Sequence, residues 1–118
     1  MRRILMGGLA AAAVAVGIGG ALAKGDPTKG KATFDQMCAS CHGAGGKGDG
    51  PAASVLNPKP RDFTDKKYMT GLKDDYITKI VKEGGQAVGK SPMMPAMGAS
   101  LKDADIENVI AYVRSLAK

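Results

Sequence analysis

The reactive side chains of this sequence are concentrated in five consecutive residues, Cys38-Ala39-Ser40-Cys41-His42. They include both cysteines and the only histidine of the 118-residue chain. Two thiols separated by two residues can each add across one vinyl group of the same porphyrin edge, because the backbone turns between them. The imidazole that follows is then placed under the ring, where a nitrogen can bind iron. The spacing predicts one covalent haem of the c type (one haem c, with its iron), attached through Cys38 and Cys41, with His42 as an axial ligand.

Other chemistries use the same residue types and fit less well. A thioredoxin-like redox pair belongs at a strand-to-helix junction, and no alternating strand pattern precedes Cys38. A structural zinc site needs four ligands, and two cysteines with one histidine leave the tetrahedron open. A plain disulfide would leave His42 and the neighbouring glycines without a purpose. No acid–base dyad or nucleophile constellation is visible, so an electron-transfer protein is expected rather than an enzyme.

The sixth ligand position can be approached by counting. With His42 committed, no second histidine exists, so the candidates are methionine, lysine, another weak donor, water or nothing. Gln86 to Gly98 reads as a loop with two prolines and three methionines, Met93, Met94 and Met97. Methionine also fills irregular core gaps well. At least one of the three is expected to bind iron through its thioether.

The elements that must position these groups read as helices. Asp26-Pro27 is a start signal, an acidic cap followed by proline at the first helical position, for a helix from Pro27 to Met37. Gly30 and Phe34 share a face of it. Gly43 to Pro51, with five glycines, is a loop that lacks the spacing of a phosphate-binding P-loop. Asn57-Pro58-Lys59-Pro60-Arg61 is extended and proline-stiffened. A carbonyl there, from Pro58 or Pro60, could accept the second ring N–H of His42, and Arg61 or Lys59 could pair with a haem propionate. A short helix is expected at Asp65–Met69. A better one at Asp74–Glu83 carries the apolar face Tyr76, Ile77, Ile80 and Val81 and stops at Gly84-Gly85. The most regular stretch is Asp103–Leu116, with Ile106, Val109, Ile110, Val113 and Leu116 at helical spacing and acids at its start.

Met1-Arg2-Arg3, the uncharged run Ile4–Leu22 and Ala21-Leu22-Ala23 together read as an export signal cleaved after Ala23. An uncleaved anchor is the alternative. The two domains expected are therefore a leader, 1–23, and a single small domain, 24–118. Removing Arg2 and Arg3 with the leader lowers the formal net charge from +6 to +4, a mild basic bias. No interleaving of basic and aromatic residues suggests a nucleic-acid partner. With two Phe, three Tyr and no Trp, so short a chain is thinly supplied with core, and a covalent haem would serve as its staple.

Taken together, Gly30-x-x-x-Phe34, Cys38-Ala-Ser-Cys41-His42, the Met-Pro loop and Val109-Ile-Ala-Tyr112-Val-Arg-Ser-Leu116 resemble the class I cytochromes c. Within that class they resemble in particular the small bacterial monohaem electron carriers. The resemblance covers essentially all of 24–118. It implies an all-α fold of three main and some shorter helices around one haem, with Gly30 and Phe34 meeting Val109 and Tyr112. It implies His/Met ligation, and because only Met94 is followed by proline, Met94 as the ligand, with Met97 and Met93 as alternatives. It also implies a periplasmic, monomeric shuttle of single electrons between redox partner proteins, without membrane insertion once the leader is gone. A Ser or Thr often caps the last helix in that family. Lys102 stands there, so Ser100 or Asp103 is expected to cap. The rival functions are a small-ligand sensor or weak peroxidase with a labile methionine, and an electron-transfer subunit of a larger oxidoreductase.

Overall fold

The structure is a computed structural model that describes residues 24–118. The expected leader, 1–23, lies outside the described residues. Five α-helices follow in order: α1 (Pro27–Met37), α2 (Ala39–His42), α3 (Lys66–Thr70), α4 (Asp74–Glu83) and α5 (Asp103–Leu116). Two 3₁₀ turns, Pro51–Val55 and Gly85–Val88, complete the set, and no strand forms among the described residues. The all-α expectation holds.

Helix α1 begins as the sequence predicts. The Asp26 carboxylate accepts hydrogen bonds from the backbone N–H groups of Thr28 (2.8 Å) and Lys29 (3.4 Å), two of the donors a helix start leaves without partners. The Asp26 N–H in turn donates to the Asn108 side chain at 2.8 Å, so the cap ties α1 to α5. Helix α3 is shifted by one residue from expectation because Asp65 stands outside it as the cap, accepting from the Tyr68 N–H.

The start of α5 corrects an expectation. Neither Ser100 nor Asp103 caps it. Lys102 occupies the N-cap position in extended conformation (φ −73°, ψ 161°). An ammonium has no lone pair to offer the helix N–H groups. The side-chain bond at this end is instead made by Asp105, which accepts from the Lys102 N–H at 3.0 Å, the reverse arm of a capping box.

The core forms where α1 crosses α5. Phe34, Met69 and Ile106 are each about 1% exposed, and Val109, Ile110, Tyr112 and Val113 line the same cluster with Ile77, Val81 and Leu101. Gly30 sets the crossing distance: a Cβ built there would overlap the carbonyl oxygen of Asn108. One turn further on, Phe34 meets Tyr112 edge-on, with centroids 5.2 Å apart at 62°, a favoured aromatic geometry.

Arg114 joins α5 to the corner between α3 and α4. Its guanidinium donates to the carbonyls of Met69 (2.6 Å) and Leu72 and to the Asp74 carboxylate (2.7 Å). Lys82 at the end of α4 pairs with Asp103 at 2.9 Å. Helix α4 is thus attached to α5 at both ends.

A methyl group at the α1–α5 crossing should therefore cost more than one elsewhere. Gly30→Ala is expected to lower the thermal midpoint of the haem-loaded protein by about 10 °C, an overpacking cost of about 1–3 kcal/mol. Gly45→Ala, where a Cβ meets nothing within 4 Å, should move it by no more than about 3 °C. Equal shifts would remove the crossing from its role.

Candidate functional site

Helix α1 delivers the chain directly into the Cys-x-x-Cys-His segment. Cys38 ends α1, with its N–H bonded to Phe34 O at 2.8 Å, and also forms the N-cap of α2. The Cys38 carbonyl accepts from Cys41 N–H (3.2 Å) and His42 N–H (2.9 Å). Residues three and four apart share one face of a helix. This single helical turn is what brings both thiols and the imidazole together.

Both cysteines are free and half-buried. Burial, with a smaller contribution from the neighbouring Cys41, pushes the Cys38 thiol up to about 11. At neutral pH about one part in 10⁴ would be thiolate. A redox or nucleophilic cysteine is activated in the opposite direction, so Cys38 is not set up as the attacking thiol of a thioredoxin-like centre. Among the described residues no cluster of three or more His, Cys, Asp and Glu side chains could hold a metal ion.

His42 lies in a largely apolar setting. Its ring stacks on Phe63, with centroids 4.8 Å apart and planes 19° apart, and Phe34 approaches at 6.3 Å. Burial lowers its pKa, favouring the neutral imidazole that binds metals. Its Nδ1 is buried and makes no hydrogen bond among the described residues. An unsatisfied buried nitrogen is costly unless the ring serves a ligand that the polypeptide alone does not provide.

The loop after His42 is folded back by its own backbone. Gly48 N–H donates to His42 O at 2.7 Å, Gly50 N–H to Cys41 O at 3.2 Å, and Phe63 N–H to Gly46 O at 2.7 Å. Gly43, Gly46 and Gly48 adopt φ of +84°, +72° and +79°, a region open to glycine and strained for other residues. Helix α5 closes over the loop, with Leu116 against Gly46 and the Tyr112 hydroxyl donating to Ala44 O.

The 57–61 segment runs beside this loop. The Pro60 carbonyl lies against Gly48, where a Cβ would overlap it. Neither Pro58 nor Pro60 bonds to the His42 ring in this arrangement. Arg61 stacks over the Tyr68 ring, 4.0 Å from its centroid, a cation–π contact.

The three loop methionines have different surroundings. Met93 is 63% exposed, whereas Met94 and Met97 are half-buried and pack against the core. Met69, outside this loop, is wholly buried in the core.

A family model for cytochrome c matches residues 27–117. The chain belongs to the cytochrome c family. Membership brings one covalently bound haem c and an electron-transfer function. The free thiols on one turn and the unpartnered imidazole nitrogen beside them fit that cofactor. The chain is 33% identical to cytochrome c-555 of Chlorobaculum tepidum over the full length of both. It is 32% identical to cytochrome c-554(547) of Halothiobacillus neapolitanus, covering 78% of this chain and 98% of that one. It is also 37% identical to the cbb3-type cytochrome c oxidase subunit FixP of Azorhizobium caulinodans, spanning 75% of this chain but only 29% of that subunit. The solved structure of the KustC0563 c-type cytochrome shares the fold, with a TM-score of 0.58 at 23% identity over 75% of this chain and 98% of that one.

Phe63 is the site residue that sequence reasoning missed, since it reaches His42 from a separate loop. Phe63→Ala should cost the haem-loaded protein about 2–3 kcal/mol in urea unfolding, and Phe63→Leu, which keeps apolar volume but loses the stack, about 1 kcal/mol. An unchanged stability in Phe63→Leu would show that filling space, and not stacking on the imidazole, is its contribution.

Proposed function

We propose that this chain is an exported, soluble carrier of single electrons whose haem is held through Cys38 and Cys41, with His42 and Met94 as axial ligands. The observation that carries the reading is the buried, unpartnered Nδ1 of the sole histidine, on the same helical turn as two free thiols. A bound haem supplies the one-electron Fe(II)/Fe(III) couple. The polypeptide supplies two covalent anchors, a neutral imidazole stacked on Phe63, and a thioether from the methionine loop.

Met94 is preferred for two reasons. Met93 is directed to solvent, which makes it a poor ligand in a closed site. Met94 has both backbone groups engaged: its N–H donates to Ser91 O (3.3 Å) and its carbonyl accepts from Gly85 N–H (3.0 Å). A rigid backbone lowers the entropic cost of holding a ligand. Met97 is pinned as well, through its N–H to Val81 O at 2.8 Å, and is the alternative ligand. A thioether bound with His42 would raise the reduction potential and leave no site for an added ligand, which suits a carrier better than a sensor or peroxidase. Of Pro58, Pro60 and Arg61, it is Pro60 that lies beside the loop after His42, with its carbonyl against Gly48, and the group that orients the imidazole is Phe63, stacked on its ring.

No helix among the described residues is long and apolar enough to cross a membrane. Relatives matched along nearly their whole length support a free carrier, which we place in the periplasm as a monomer acting between protein donors and acceptors. The match to FixP favours a second reading, a domain docked to an oxidase.

The ligand assignment has a direct test in the weak long-wavelength iron–thioether absorption of the ferric protein. Met94→Ala should abolish it, while Met93→Ala and Met97→Ala retain it. Loss in Met97→Ala alone would transfer the role to Met97, and an unchanged band in all three would refute methionine ligation from this loop.

A further inference from the structure

Gly84-Gly85 reads from sequence as a helix stop, but only one of the two glycines performs that task. Gly84 has φ +87° and, as the C-cap of α4, donates its N–H to Ile80 O at 2.9 Å. That conformation terminates the helix. Gly85 does not have positive φ, so no backbone conformation requires glycine there. It is nevertheless buried, and its surroundings explain the missing side chain. A Cβ on Gly85 would overlap the carbonyl oxygen of Ser91 and stand 3.4 Å from the Cβ of Met94.

The same position is a junction of hydrogen bonds. The Gly85 N–H donates to Met94 O at 3.0 Å, and its carbonyl accepts from Lys90 N–H at 2.8 Å. Just before it, the last carbonyls of α4 receive the far side of the methionine loop: Met97 N–H to Val81 O at 2.8 Å and Gly98 N–H to Lys82 O at 3.1 Å. Helix ends leave carbonyls without partners, and here the loop satisfies them. Both arms of the loop are therefore bonded to Val81–Gly85, and Met94 lies between them. Helix α4 is itself fastened to α5 through Arg114–Asp74 and Lys82–Asp103.

We propose that Gly85 is a positioning residue for the axial thioether. Its bare Cα lets Ser91 and Met94 close onto the end of α4, and its N–H fixes the Met94 backbone, so the sulfur is presented by a loop clamped at both sides. This rests on the assignment of Met94 as ligand. The role is separate from capping, which Gly84 performs, and from core burial, which Ile77 and Val81 perform.

The test uses the haem-loaded protein and its Gly85→Ala variant, with Gly71→Ala as control. Gly71 has φ −76° and a built Cβ meets nothing nearer than 3.5 Å. Gly85→Ala is expected to lose most of the ferric iron–thioether band, to bind carbon monoxide in the ferrous state, and to exchange the Met97 and Gly98 amide hydrogens about tenfold faster or more. The α5 amides should stay protected. Gly71→Ala should match the parent protein in all these readouts. A Gly85→Ala protein that keeps the band, excludes carbon monoxide and protects Met97 overturns the inference while leaving the ligand assignment intact. A parent protein that lacks the band and binds carbon monoxide overturns the ligand assignment, and the positioning role with it. If the variant does not fold, exchange in the parent decides: a Gly85 amide protected as strongly as those of α4 supports the clamp, and one exchanging as an open amide refutes it.

Discussion

The contact on which the rest of the molecule depends is the approach of two backbones, Gly30 of α1 against the Asn108 carbonyl of α5. Any side chain at position 30 would separate the helices, and the edge-on meeting of Phe34 and Tyr112 one turn later would be lost. Because α1 runs without a break into Cys38, the crossing also determines where the attachment turn begins. The other end of α5 then holds the loop after His42 through Leu116 and the Tyr112 hydroxyl. One pair of helices thus positions both sides of the haem-binding segment. That economy suits a domain whose core is too small to stand on hydrophobic burial alone.

The two sides of the site are built in different ways. The proximal side is a rigid short-range object, one helical turn plus a glycine-rich loop returned onto the carbonyls of Cys41 and His42. The methionine side is a longer loop with few buried side chains of its own, held by backbone hydrogen bonds to the end of α4. Polypeptide of this second kind has lower local stability. Its fastening to α4, and that of α4 to α5, is what would keep a thioether in place through a change of iron oxidation state. An electron carrier benefits from such constancy, since ligand geometry that does not change requires little reorganisation.

Most of this architecture was legible because local signals and global fold agree. Asp26-Pro27, the apolar period of 103–116 and the face of α4 each encode a helix within a few residues, and all three occur with the expected bounds. The Cys-x-x-Cys-His motif carries its chemistry in its spacing. The features that were not legible depend on how the folded backbone places their partners. Phe63 reaches His42 from another loop, and nothing in its neighbours announces that. Asp105 reaches back to the Lys102 N–H where Ser100 or Asp103 is expected to cap, a bond visible only once the backbone is placed. Gly85 resembles half of a helix stop until Ser91 and Met94 are found against it. The unpartnered Nδ1 of His42 follows from a pocket that no linear pattern describes.

The central claim is that one iron keeps both axial ligands, His42 and a loop methionine, in both oxidation states. X-ray absorption at the iron edge of the haem-loaded protein tests it most directly, since it counts the sulfur atoms bound to iron. One iron–sulfur bond at unchanged coordination number in the ferric and the ferrous protein is the result this account predicts. Absence of sulfur from the iron in either state, or a five-coordinate ferrous iron, would contradict it and favour a ligand-binding haem.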